Sequence, residues 1–329
     1  MGKKRNDFDM VGAERMTEAE LSKKLGHYQE MSIVWLWVGV VGTVSGIICF
    51  FAVQDMALKA ILVTVLFFGG VCCAIFFGGG AQKKLKALMQ EQFGDFFRAE
   101  WKKAFGPDLR SPEMRIDEPF MKSLHLLDGE WEECTVENFH EGNHCGVHFS
   151  AANVRLDHVY QRGTPHDGYE TCRSMAFQGV VLRCGTRVPV SSTVLASART
   201  EDSPRGILTN NEIFDRSFCV TADSEQDAAR LLTPQFIDFL TEFDRDIEGQ
   251  ILGFCWEDST FSLALETDFG IAAVAGSIDL RDLDAVRRSY IRSLEELCSV
   301  LDRLIAGTAL TGAAEYGGEY DRTENEHDG

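Results

Sequence analysis

The chain has 329 residues, 32 Lys+Arg against 51 Asp+Glu, and a formal net charge of −19. A composition of 45% apolar and 25% charged residues excludes wholesale disorder. An acidic balance with a pI near 4.8 excludes a chain built to neutralise phosphates, so no nucleic-acid partner is expected.

Residues 1–30 are polar and carry Lys3, Lys4, Arg5, Arg15, Lys23 and Lys24. Thr17-Glu18-Ala19-Glu20 fits a capping box, which predicts a short helix leading into an apolar run. That run, Met31 to Gln54, contains no charge, and after Asp55 and Lys59 a second uncharged run extends from Ala60 to Gln82. Each run supplies the roughly 20 apolar residues needed to cross hydrocarbon. The five residues Asp55–Lys59 between them predict a tight antiparallel transmembrane hairpin over 31–82. The first run begins too late and is too long for a cleaved signal peptide. Lysines flank the far end of each run (Lys83, Lys84 and Lys86 after the second). By the positive-inside rule, both termini are expected to be cytoplasmic in a multi-pass protein whose first partner is the lipid bilayer.

Within the runs, Gly42 and Gly46 form a GxxxG step, read either as packing between the two spans or as self-association between chains. Gly69–Gly70 is expected to break the second span, and Gly78–Gly80 to act as a hinge at its end. Residues 83–106 repeat apolar side chains (Leu85, Leu88, Met89, Phe93, Phe96, Phe97, Trp101, Ala104, Phe105) at three- and four-residue steps. This predicts an amphipathic juxtamembrane helix that packs on its own domain, lies on lipid or meets another subunit.

Residues 107–306 read as a cytoplasmic α+β domain: an antiparallel sheet with flanking helices. Strands are expected over Trp131–Phe139, Cys145–Phe149, Val154–Tyr160, Cys172–Cys184, Thr186–Leu195 and Phe218–Thr221. A hairpin is expected from Ile251–Trp256 and Thr260–Glu266, and helices from Asp223–Asp244 (interrupted or restarted at Pro234) and Ile278–Leu304. Residues 307–329 form an acidic tail, six acids and one Arg among the last fifteen, expected to be disordered. Ten scattered cysteines without a CxxC pair read as small buried apolar residues of a reducing compartment.

Two stretches carry a family resemblance: Ala176–Cys184 (AFQGVVLRC) and Phe218–Leu240 (FCVTADSEQDAARLLTPQFIDFL). With the later hairpin ILGFCWEDSTFSLAL, the layout resembles the bacterial family known as domain of unknown function 3137, over roughly residues 31–305. The resemblance implies a bacterial inner-membrane protein with two spans and a cytoplasmic α+β domain, and brings no assigned reaction. The expected role is therefore a non-enzymatic protein-interaction or assembly module, through the membrane helices or the juxtamembrane helix, with no cofactor.

One motif points to chemistry. His140-Glu141-Gly142-Asn143-His144 spells HExxH, and six of the eight histidines lie between 125 and 166. In zinc hydrolases this spacing sets two His on one helical face with the Glu beside them as base. A helix is disfavoured here: Gly and Asn at its centre cost about 1 and about 0.6 kcal/mol relative to Ala. The flanks alternate like strands, with a turn at Gly142-Asn143. The alternative reading is a membrane-bound zinc hydrolase using His140 and His144 with Glu141 as base and a third ligand from His148, His158 or Glu170. No serine-nucleophile elbow, phosphate loop or dinucleotide fingerprint is present. Glu257-Asp258 in a turn, and Asp279, Asp282 and Asp284 at a helix start, need no catalytic role.

Overall fold

The structure is a computed structural model that describes residues 16–107, 111, 114–124, 131–164, 168–186, 192–200, 203, 206–247, 249–267 and 270–306. The N-terminal Lys3, Lys4, Arg5 and Arg15 and the acidic tail from 307 lie outside them. The chain divides into two compact units. One takes the described residues to Ala99 with Gly276–Ser289, and the other Glu100–Ala275 with the described residues from Tyr290.

The first unit is built on two long helices. Helix α1 (Glu18–Ala52) opens on the predicted capping box: the Glu20 amide donates to Thr17 Oγ1 at 3.4 Å, and the Thr17 amide donates to Glu20 Oε2 at 3.2 Å. The predicted short helix and first span are thus one element of 35 residues, about 52 Å long at 1.5 Å per residue. Helix α2 (Met56–Phe105) starts on Asp55, whose carboxylate accepts from the Leu58 amide at 2.9 Å. Only Val53–Asp55 link the helices. The expected break at Gly69–Gly70 and hinge at Gly78–Gly80 are not there. The helix runs through both, with π-helical stretches at Thr64–Phe68 and Ala74–Gly78. Such turns keep backbone groups partnered inside the helix, as an apolar surrounding demands.

The glycines instead let the helices approach. A Cβ on Gly42 would lie 2.9 Å from Gly70 Cα, and one on Gly39 would lie 2.7 Å from Ala74 Cβ. Trp35 stacks on Phe77 at 4.7 Å. The GxxxG face is therefore occupied within the hairpin. Only 11% and 6% of the most apolar windows of α1 and α2 are buried, which overturns any reading of them as core helices. Ile33, Leu36, Trp37, Val41, Ile48, Phe51, Ile61, Phe68, Ile75 and Phe76 are all exposed.

The second unit is a seven-stranded antiparallel sheet in the order β1-β2-β3-β7-β6-β4-β5. Its strands are β1 (Glu133–His144), β2 (Val147–Thr164), β3 (Gly168–Gly185), β4 (Val194–Ala198), β5 (Phe218–Ala222), β6 (Gln250–Glu257) and β7 (Thr260–Glu266). Helices α3 (Glu118–Ser123), α4 (Glu212–Ser217), α5 (Glu225–Leu231) and α6 (Pro234–Asp246) flank it, and α7 (Leu283–Ala306) begins in the first unit and ends in the second. The α+β expectation holds, while the separate strands expected at 145–149 and 154–160 fuse into β2. Pro234 restarts rather than kinks its helix: it occupies the first turn of α6 behind a Thr233 cap. The last helix begins at Leu283 instead of Ile278, because Asp282 accepts from the Ala285 amide at 2.8 Å and sets the start there. Short α3 and α4 have no counterpart in the predicted elements.

One sheet face packs an aromatic core: Phe149, Phe254, Trp256 and Phe261 with Phe236 of α6, whose ring lies 4.8 Å from Trp256. The other face buries Val154, Leu156, Phe177 and Val181 against Ile116, Met121 and Leu124.

Candidate functional site

The HExxH stretch forms the end of β1, a strand and not a helix. Gly142 pairs with Phe149 and Asn143 with His148, so the turn predicted at Gly142-Asn143 falls instead at Cys145-Gly146. Both turn residues have positive φ, 49° and 79°, the pairing that a two-residue hairpin loop with strand-matched twist requires. Gly142 is needed for another reason: a Cβ there would lie 2.7 Å from Phe105 Cβ.

Side chains alternate along a strand, so His140 and His144 share one face and Glu141 takes the other. The His140 ring lies on Trp101 at 4.3 Å, and His144 meets the Phe105 ring edge-on at 5.9 Å. Four residue steps along the strand separate the two histidines by about 13 Å of backbone, whereas a helix would bring them to about 5–6 Å. They are not arranged to share an ion. Glu141 is 1% exposed, and its carboxylate accepts from the Ser111 amide at 2.8 and 3.0 Å, with His148 Nε2 at 3.5 Å. It is held as a buried anchor, away from both histidines that a hydrolase would pair with it. His158 Nδ1 sits 3.2 Å from Glu132 and its ring stacks on Tyr160, far along β2, while the Glu170 side chain lies outside the described residues.

A different set of donors converges at the hairpin turn. His144 Nε2 is 2.7 Å from Asp302 Oδ1 on α7. Cys145 Sγ joins them, and all three atoms lie within 4.8 Å of one another. Cys298 stands one turn before Asp302 on α7. Burial first, then the negative charge of the Asp302 carboxylate, pushes its thiol pKa up. Asp302 and Cys145 are exposed, and the His144 side chain is largely covered. Sequence reasoning misses this group because 158 positions separate His144 from Asp302, and no spacing rule joins a β-turn to a helix that far away.

Other candidates resolve into structure. Asp279 accepts from the Arg281 amide, Asp284 pairs with Arg287 at 2.7 Å, and Glu257-Asp258 forms the β6–β7 turn with Asp258 at φ 53°. Burial pushes the Cys184 and Cys255 thiols up to about 12 and Cys134 to about 11, which keeps all three protonated and unreactive near neutrality. A groove of about 380 Å³ opens over the polar end of β1–β3, lined by Thr135, Glu137, Asn153, Arg155 and Gln178. Arg155 is committed there to Asp157 at 2.9 Å, an attachment that lowers the Asp157 pKa. Asn153 is committed to Ile271, accepting from its amide at 2.8 Å and donating to its carbonyl at 3.1 Å.

Residues 175–304 match the family described as protein of unknown function (DUF3137). That span includes both stretches that carry the resemblance. No curated protein matches the chain. A crystal structure of the mycobacterial trehalose monomycolate transport factor A is similar at 11% identity over 64% of this chain and 95% of the other. Its TM-score is 0.28, too low to bear on fold or role.

Proposed function

We propose that this chain, whose residues 175–304 carry the DUF3137 match, is a two-span protein of the bacterial inner membrane. Both termini are cytoplasmic, and the sheet unit serves as a protein-interaction or assembly module there and not as an enzyme. The observation that carries this reading is the unbroken apolar exterior of the α1–α2 hairpin, which only lipid solvates without cost. Lys23, Lys24, Lys83, Lys84 and Lys86 are exposed beyond the ends of the spans opposite the Val53–Asp55 link, where a cytoplasmic surface would hold them. The link offers one Asp, with Lys59 inside the first turn of α2, too little polar chain for a domain on the other side. Since the glycine faces meet each other inside the hairpin, the interaction surface is expected on the juxtamembrane helix or the sheet unit.

The test is fractionation with a reporter at the C-terminus. Full-length protein should stay in carbonate-washed membranes, and a reporter fused after Gly329 should be active only if it matures in the cytoplasm. Extraction by carbonate, or activity of a periplasm-only reporter, refutes the assignment.

A further inference from the structure

The geometry points to a metal site, which we propose binds a zinc-class divalent cation through His144 Nε2, Cys145 Sγ and an Asp302 carboxylate oxygen. It differs from the HExxH reading in two ways. His140 takes no part, because its ring is stacked on Trp101, and Glu141 takes no part, because it faces the other side of the sheet. It also does not depend on membrane topology, since all three donors belong to the sheet unit.

The donor chemistry suits zinc and its neighbours: imidazole, thiolate and carboxylate are its three common ligand types. Tetrahedral ligands at 2.0–2.3 Å from zinc stand roughly 3.3–3.8 Å apart. The 2.7 Å His144–Asp302 pair would open by about 0.6–1 Å, and the widest separation, at most 4.8 Å, would close by about 1 Å. Rotamer changes suffice for both, because the Cys145 and Asp302 side chains are exposed. The positive φ of Cys145, uncommon for a non-glycine residue, places it at the tip of the turn beside His144. Asp302 lies near the C-terminus of α7, where the helix dipole favours a cation. Water can take the fourth position. On binding, the Cys145 S–H gives its proton to solvent and a metal–sulfur bond forms. His144 coordinates through Nε2 with its proton on Nδ1, and binding is therefore expected to weaken as pH falls. The ion would staple the β1–β2 turn to the end of α7, two elements joined in sequence only through the whole sheet.

The test uses full-length protein in detergent with a reductant that does not bind metal, and Co²⁺ as a spectroscopic probe alongside Zn²⁺. One equivalent per chain is expected, with a near-ultraviolet thiolate-to-cobalt band that Zn²⁺ abolishes. Cys145→Ser should remove the band and weaken Zn²⁺ binding at least about tenfold, and Asp302→Asn should weaken it about as much, with an unchanged circular dichroism spectrum. His140→Ala should leave stoichiometry and band intact. Absence of stoichiometric cobalt, a spectrum without a thiolate band (a plain His144–Asp302 hydrogen bond), or loss of binding in His140→Ala with retention in Cys145→Ser each overturns the proposal.

Discussion

At the scale of single residues, the positions that matter most are those where a backbone must pass closely or turn abruptly. Gly69 and Gly70 are neighbours in one helix, with the same intrinsic propensity, yet a Cβ on Gly69 meets nothing within 4 Å while one on Gly70 meets Gly42 Cα at 3.0 Å. Backbone cannot yield as a flexible side-chain tip can, so a larger residue at Gly70 must pry α1 from α2. Gly70→Val is expected to lower the apparent Tm of the detergent-solubilised protein by several degrees, and Gly69→Val to leave it within about a degree of the parent, since valine is tolerated at lipid-facing helix positions. Equal shifts in the two variants would mean that the glycines serve helix propensity and not helix contact. The same reasoning separates Gly142, closed off by Phe105, from Gly146, which is glycine for its φ of 79° and has open space around it.

At the scale of elements, legibility in the sequence depends on how local the determining physics is. The β6–β7 hairpin, the α5–α6 pair and the capped start of α1 are readable because alternation, Pro at a first turn and a capping box are all decided within a few residues. Sequence reasoning misplaces the β1–β2 turn because Gly142 resembles a turn glycine, and the helix residue that needs its missing Cβ, Phe105, is 37 positions away. It breaks the glycine-rich second span because helix cost is reckoned as if in water, where an interrupted backbone can find partners. The donor cluster at His144, Cys145 and Asp302 is not legible at all, because it exists only once the turn and α7 are placed. Element α6 gives a direct measure of local against tertiary contributions. Thr233→Ala removes the cap that accepts from the Phe236 amide at 3.3 Å and should cost about 1 kcal/mol. Phe236→Ala empties a site ringed by Phe254, Trp256 and Phe261 and should cost about 3–5 kcal/mol, read by denaturant unfolding of the full chain. A cap loss equal to the cavity loss would show that α6 is held by its own propensity and not by the sheet.

At the scale of the whole molecule, the first unit is discontinuous: segment 276–289 returns to the membrane-proximal part of α1 after the entire sheet has been made. The return is held by a short set of interactions centred on Gln29. Its side-chain amide donates to the Ile278 carbonyl at 2.8 Å, and its oxygen accepts from the Leu280 amide at 3.0 Å. Ser22 Oγ donates to the Arg281 carbonyl at 2.7 Å, Arg281 pairs with Glu30, and Arg287 pairs with Glu18 at 2.9 Å. The two ion pairs are solvent-exposed and contribute little. The two-sided amide clamp is part-buried and saturates both backbone groups, so its loss leaves them to compete for water. Gln29→Ala should therefore speed hydrogen exchange of the Leu280 amide about fivefold, the equivalent of about 1 kcal/mol, with β3 and β7 amides unchanged. Glu30→Ala, which removes only an exposed partner of Arg281, should change exchange there by less than about twofold. Should Glu30→Ala release the segment while Gln29→Ala does not, the return would be held by charge, and raising the salt concentration would loosen it in the parent protein as well.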